Sequence, residues 1–247
     1  MIIDILTLFP EMFTAVKSSM LGKAEEKGIL EIRLTDIRDY TLDKHKKTDE
    51  TPFGGGAGMV MTCDPIFRAL EHVDAEKKKI VYMSPKGNIP DREKLQQLSR
   101  EDELVILCGH YEGIDQRILE HFDIEEISIG DYILTGGEPA AIVLTDAVAR
   151  LIPGVLSSEE SAMDESVYSG LLEYPHYTKP REYRGMDVPQ VLLSGDHKAI
   201  KLWKLEESLK LTKERRPDMF EEFCKRESEL SKEEKKILEK VKNWCNI

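Results

Sequence analysis

Cysteine is scarce: there are four in 247 residues (Cys63, Cys108, Cys224 and Cys245), and no two form a C-x-x-C pair or a metal-ligand spacing. This excludes a disulfide scaffold and a cysteine zinc site, and it fits a reducing, cytoplasmic compartment. Long apolar runs are missing as well. Nothing approaches the ~20 apolar residues that span a bilayer, so no membrane partner is expected. The opening segment Met1-Ile-Ile-Asp-Ile-Leu-Thr-Leu-Phe-Pro10 has an acid at position 4 and no basic n-region, and reads as a first strand rather than a signal peptide. A phosphate-binding loop is lacking too. Gly54-Gly-Gly-Ala-Gly58 is not followed by Lys-Ser/Thr, and Met59 and Met61 stand where the last glycine of G-x-G-x-x-G would fall.

Positive charge is in deficit, with 35 Lys and Arg against 47 Asp and Glu and a net charge of −12. That balance argues against a general polyanion binder, but the average hides a gradient. Residues 1–157 carry 18 basic and 28 acidic side chains, whereas residues 200–247 carry 13 and 11. Lys198, Lys201, Lys204, Lys210, Lys213, Arg215 and Arg216 face only Glu206, Glu207 and Glu214. Such a face can hold phosphates despite the total, because charges more than ~8 Å away are largely screened at physiological salt. A solvated helix face gives the same pattern.

What is present is a regular alternation. Hydrophobic residues make up 40% of the chain, and their recurrence excludes whole-chain disorder. Apolar, β-rich runs at 2–9, 30–37, 79–84, 103–109 and 125–130 alternate with amphipathic stretches at 11–27, 64–73, 91–98 and 114–121. This pattern predicts an α/β domain with a parallel sheet. A helix is expected from Glu138 to Arg150, stopped by Pro153-Gly154. The Ser- and Glu-rich stretch that follows reads as a flexible linker, giving boundaries of 1–157, 158–170 and 171–247. In the last segment helices are expected near 198–211, 217–225 and 232–244. Asp196 should cap the first, Pro217 should open the second, and Ser231 with Glu234 should form a capping box for the third.

In a parallel sheet, ligands bind outside the carboxyl ends of the strands. Three successive strands here run into glycine- or proline-bearing loops: Ile80-Val-Tyr-Met-Ser-Pro-Lys-Gly87, Leu104-Val-Ile-Leu-Cys-Gly-His-Tyr-Glu-Gly113 and Ile127-Ser-Ile-Gly-Asp-Tyr-Ile-Leu-Thr-Gly-Gly-Glu138. Loops lined by Tyr82, Leu107, Ile129, Tyr132 and Leu134, with no basic cluster, suit an adenosine moiety of little negative charge. Adjacent Gly136 and Gly137 before a helix suggest backbone in direct contact with that ligand.

Those loops, with Pro52-Phe-Gly-Gly-Gly-Ala-Gly-Met59, Tyr174-Pro-His-Tyr-Thr-Lys-Pro180, Val191-Leu-Leu-Ser-Gly-Asp-His197 and Arg215-Arg-Pro217, resemble the bacterial tRNA (guanine-37-N1)-methyltransferases over nearly the whole chain. The resemblance implies a SPOUT-type fold with a trefoil knot, a small mostly helical C-terminal domain that binds tRNA, and a homodimer with active sites between subunits. It also implies S-adenosyl-L-methionine as methyl donor. Carried over by position, Tyr82, Met83, Ser84 and Pro85 line a first cofactor loop; Gly109, Tyr111 and Glu112 a second; Ile129, Gly130, Tyr132, Leu134, Gly136 and Gly137 a third. The family's proline near the end of that loop is displaced here, where Pro139 precedes Ala140.

Guanine N1 is protonated at neutral pH, so methylation there requires a base and a cation for the charge growing on O6. The resemblance assigns the cation to Arg150, although a basic residue at a helix C-terminus also offsets the macrodipole. The family's aspartate base falls by position on Glu165, with Asp164 adjacent, and either carboxylate could serve. His176, Tyr177 and Lys179 are implied RNA or base contacts. Arg181, Arg184, Lys201, Lys204, Arg215 and Arg216 are candidate phosphate contacts. A flipped guanosine is expected. A SPOUT enzyme acting on another RNA and a non-catalytic RNA-binding module are the competing readings. The sequence carries no metal-ligand cluster, and a role for a divalent ion such as Mg2+ is not written in it.

Overall fold

The computed structural model describes residues 1–156 and 169–244. The chain divides into two compact units, Met1–Glu159 and Glu160–Ile247.

In the first unit, β1 (Ile2–Thr7) and β2 (Glu31–Asp36) are followed by a short antiparallel pair, β3 (Asp49–Glu50) and β4 (Val60–Met61). Then come β5 (Lys79–Asn88), β6 (Glu103–Cys108) and β7 (Ile124–Ile127). The five longer strands form one parallel sheet in the order β2-β1-β6-β5-β7. Its strands read as nearly continuous apolar runs because both faces are covered. Ile3, Ile5, Val81, Met83, Leu104 and Ile106 pack on one face; Leu6, Ile80, Tyr82, Val105 and Leu107 pack on the other. Asp4 is the buried charge in these strands, and Lys78 answers it at 2.9 Å.

The helices are α1 (Thr14–Lys17), α2 (Met20–Glu26), α3 (Cys63–His72), α4 (Arg92–Leu98), α5 (Gln116–His121) and α6 (Glu138–Ala149). The single helix expected over 11–27 is instead a 3-10 turn, Pro10–Phe13, and two short helices. Ser18 and Ser19 break it: their hydroxyls donate to the carbonyls of Ala15 (2.9 Å) and Val16 (2.7 Å), and the Ser19 oxygen then accepts from Leu21 N–H. A Cβ at Gly22 would strike the Lys17 carbonyl, so only glycine allows the two pieces to fold together this closely. The strand predicted over 79–84 runs on to Asn88. Its pairing with β7 lapses after Met83 and resumes at Asn88–Ile127.

In the second unit, a two-residue turn at Arg184 (φ 54°) and Gly185 (φ 79°) joins β8 (Glu182–Tyr183) to β9 (Met186–Asp187). The run at Val191–Leu193 lies in a 3-10 turn. Next come α7 (His197–Arg215), α8 (Pro217–Lys225) and α9 (Lys232–Lys242), around a core of Leu171, Leu209, Phe220, Phe223, Leu238 and Val241. The expected caps are in place. Asp196 accepts from Lys198 and Ala199 N–H, both at 3.0 Å, and Pro217 sits in the first turn of α8. Ser231 and Glu234 form the reciprocal box.

Candidate functional site

A cavity of about 260 Å³ opens at the carboxyl ends of β5, β6 and β7. All thirteen residues expected at the cofactor line it: Tyr82, Met83, Ser84 and Pro85 on the first loop; Gly109, Tyr111 and Glu112 on the second; Ile129, Gly130, Tyr132, Leu134, Gly136 and Gly137 on the third. The lapse in β5–β7 pairing makes room for Ser84, Pro85 and Lys86 in the wall.

The loops are held to one another by backbone. Gly137 N–H donates to the Gly109 carbonyl at 2.7 Å, and His110 bridges Gly136. A Cβ on Gly137 would lie 2.9 Å from Gly109 N and 3.1 Å from Cys108 Cα. A demand independent of any ligand thus keeps this glycine small: the third loop crosses the second at backbone contact. Gly109 likewise makes room for Tyr82, whose phenol oxygen would be 2.5 Å from an added Cβ. Pro139 falls in the first turn of α6, where its missing N–H is no loss, so its displacement leaves the helix start intact.

Met59–Met61, which follow the glycine-rich segment 54–58, join the same assembly. Met61 N–H donates to Gly113 O (2.9 Å), Glu112 N–H to Met59 O (3.0 Å) and Asp115 N–H to Met61 O (3.0 Å). Gly58 has room for no side chain against that of Glu112. Tyr111 takes a left-handed φ of 57°, a conformation that costs a bulky residue roughly 1–3 kcal/mol and clusters at ligand clamps.

The cavity's polar groups are few. Burial, and then the charge of Glu126, pushes the Tyr82 phenol up to about 12. Two lining side chains, His110 and Glu126, each present a buried atom (Nδ1 and Oε2) without a hydrogen-bond partner. Neither was singled out from the sequence. The signal for Glu126 was an acid at an alternating position of Ile124-Glu-Glu-Ile127, beside Tyr82 in the sheet register. Next to cavity-lining residues in the chain, the Arg117 guanidinium holds the Asp115 carboxyl well below the usual carboxylate range. Among the described residues, no group of three or more His, Cys, Asp or Glu side chains could hold a metal ion.

Arg150 caps the C-terminus of α6, its N–H donating to Asp146 O at 3.1 Å. Asp164 and Glu165 lie outside the described residues. In the second unit, His176 meets Glu173 at 2.9 Å and stacks near Tyr174, with ring centroids 4.7 Å apart. Tyr177 lies 6.4 Å from Trp203, a neighbour the sequence reading passed over, and the Lys204 ammonium stands 4.4 Å above the Tyr174 ring. Lys179 and Arg184 are exposed.

The expected open basic face is largely neutralised by acids. Lys198 pairs with Glu233 (2.7 Å), Lys201 with Glu234 (3.4 Å), Lys210 with Glu206 (2.7 Å) and Arg216 with Asp218 (2.6 Å). Lys213 donates to the carbonyls of Val241, Lys242 and Trp244 at the end of α9, and Arg181 to Gln190. Arg215 is exposed, with no acidic partner among the described residues.

Comparison with known proteins bears directly on this cavity. A family model described as tRNA (Guanine-1)-methyltransferase TrmD matches residues 1–222. A protein named tRNA (guanine-N(1)-)-methyltransferase from Clostridium perfringens (strain SM101 / Type A) is 55% identical over 96% of this chain and 98% of its own length. Proteins of the same name from Bacillus cereus (strain AH820) and Clostridium acetobutylicum are 53% and 52% identical, over 97% and 96% of this chain and 98% and 96% of their own. A match that runs from β1 through the three cavity loops into the helices of the second unit means that the chain belongs to the tRNA (guanine-1)-methyltransferase TrmD family.

Proposed function

We propose that the protein transfers a methyl group from S-adenosyl-L-methionine to N1 of the guanosine at position 37 of tRNA, next to the anticodon. The observation that carries this reading is the convergence of thirteen sequence-matched residues on one cavity, within a chain of this family.

The cavity suits that cofactor. Ile129, Leu134 and the Tyr132 ring offer apolar surface for a purine. The buried Nδ1 of His110 and Oε2 of Glu126 await polar partners, and no basic cluster asks for phosphate. When bound, the cofactor supplies a methyl group on a sulfonium sulfur, ready for direct displacement. The chain's own part is to make guanine N1 a nucleophile. Glu165 or Asp164 takes the N1 proton, and Arg150 holds the charge that grows on O6. His176, Tyr177 and Lys179, with Arg181, Lys201, Arg215 and Arg216, hold the RNA as part of a tRNA-binding domain at 171–247.

The length of α6 supports a homodimer. The helix begins at Glu138, next to the cavity-lining Gly137, and Arg150 stands at its far end, twelve residues on from Glu138. At a rise of 1.5 Å per residue that is about 18 Å, beyond the reach of an arginine side chain. Arg150 therefore serves a second copy's cavity, and each active site draws on two subunits. Met12 and Val143 are 42% and 51% exposed on the 3-10 turn and helix that pack together, which gives that interface apolar surface. The backbone crossing at Gly137 and Gly109 supports a SPOUT-type trefoil knot. Unpaired thiols at Cys63, Cys108 and Cys224, with no described helix apolar enough to cross a membrane, support a cytoplasmic enzyme.

The test is transfer of tritiated methyl from S-adenosyl-L-methionine to unmodified tRNA, with the nucleoside identified by mass spectrometry. Product should be 1-methylguanosine, and tRNA with adenosine at position 37 should give none. Parallel reactions with a chelator read any need for Mg2+. Label in another nucleoside would refute the assignment.

A further inference from the structure

The two acids of β7 are in opposite situations. Glu125 is held by Lys79 and Lys94, each at 2.8 Å. Glu126, the next residue, points to the other face of the sheet beside Tyr82 and lines the cavity, where its Oε2 is buried without a hydrogen-bond partner. Only four side-chain atoms are in that condition among the described residues, and this is the one carboxylate oxygen. Such an atom has given up hydration with no hydrogen bond in return. A group of this kind in a cavity wall is accounted for when the ligand brings the donor.

We infer that the Glu126 carboxylate accepts the ribose hydroxyls of the bound nucleoside cofactor. The inference rests on the reading of the cavity as a S-adenosyl-L-methionine site and adds to it a side chain that the sequence match did not include. Three features select the ribose. Glu126 is the penultimate residue of its strand, at the carboxyl edge of a parallel sheet, and an acid near that edge is the recurrent acceptor for ribose hydroxyls in α/β nucleotide sites. A cis-diol presents two O–H donors to a carboxylate's two oxygens, whereas the sulfonium carries no donor at all. The apolar side chains suited to a purine, Ile129, Tyr132 and Leu134, belong to the loop beyond β7, which leaves the strand end itself for the sugar.

The test is calorimetric titration of the full-length protein and its Glu126→Leu and Glu126→Gln variants with three ligands: S-adenosyl-L-methionine, S-adenosyl-homocysteine and methylthioadenosine. The last keeps the ribose but lacks the amino-acid chain and the charge. Glu126→Leu should weaken all three by a similar factor, roughly 10- to 100-fold for a lost charge-assisted hydrogen bond, and Glu126→Gln by less. The ligand-free variants should melt at or above the parent temperature, because the unpartnered carboxylate is gone. Unchanged affinity would overturn the inference. So would a loss confined to S-adenosyl-L-methionine, which would point to the sulfonium, or one that spares methylthioadenosine, which would point to the ammonium. A ligand-free melting temperature that falls in step with affinity would indicate a structural role instead. If the unaltered protein bound none of the three, the cofactor reading itself would fail and this inference with it.

Discussion

At Gly137 the space for a side chain is limited by backbone atoms that cannot move aside. Gly137→Ala should therefore cost about 1–3 kcal/mol of stability, as overpacking does, and weaken cofactor binding as well. Urea denaturation checks the first and calorimetry the second. Gly55→Ala is the control: nothing lies within 4 Å of its Cβ, and only its φ of 78° opposes the change. At Asp115, hydrogen bonds from the Arg117 side chain and N–H depress the carboxyl. A depressed acid contributes stability above its unfolded value, near 3.9, and loses it as pH falls through the folded value. Stability of the parent should thus decline from about pH 4 downward more steeply than that of Asp115→Asn, as thermal melts across that range would reveal. For the linker acids, Glu165→Gln or Asp164→Asn should cut single-turnover methylation by ~10²–10⁴-fold with cofactor affinity intact, while the other stays mild. If the double variant methylates at the parent rate, neither is the base.

Helix ends were the most legible elements, because a cap is written in adjacent residues. Asp196, Pro217 and Ser231 with Glu234 do what their spacing announces, and Asp196→Ala should cost about 1 kcal/mol in thermal or urea unfolding. The three loops that line the cavity were equally legible, each a contiguous motif at a strand end. What could not be read depends on partners far along the chain. Lys86-Gly-Asn88 has little strand propensity and pairs only because Gly87 lets its backbone close on Glu126 and Ile127. Lys198 and Lys201 read as free cations until α9 brings Glu233 and Glu234 to α7. Exposed pairs of this kind are worth little to stability, about 0–1 kcal/mol. Their effect is on availability. Glu233→Gln should leave the melting point nearly unchanged yet tighten tRNA binding and steepen its salt dependence, if Lys198 is a phosphate contact. Filter binding at graded ionic strength decides it.

For the molecule as a whole, the proposed dimer, in which Arg150 and the cavity of one site come from different copies, would make activity a property of pairs. An Arg150→Ala chain and a chain with a blocked cavity should each be inactive alone, and mixing them under conditions of subunit exchange should restore turnover, since a mixed dimer holds one complete site. No recovery would mean that each site is built from one chain. The hydrogen bonds among residues 59–61, 112–115, 109 and 137 have a related kinetic meaning. Amides that hold one another closed cannot admit solvent one at a time, so exchange with deuterium should proceed at a common rate at Met61, Glu112, Gly113, Asp115 and Gly137, set by a single opening of the whole weave. A ligand gripping any one loop should slow the clock for all of them together. The glycine-rich stretch before Met59, which only flanks the cavity, would then register occupancy through the residues to which it is tied.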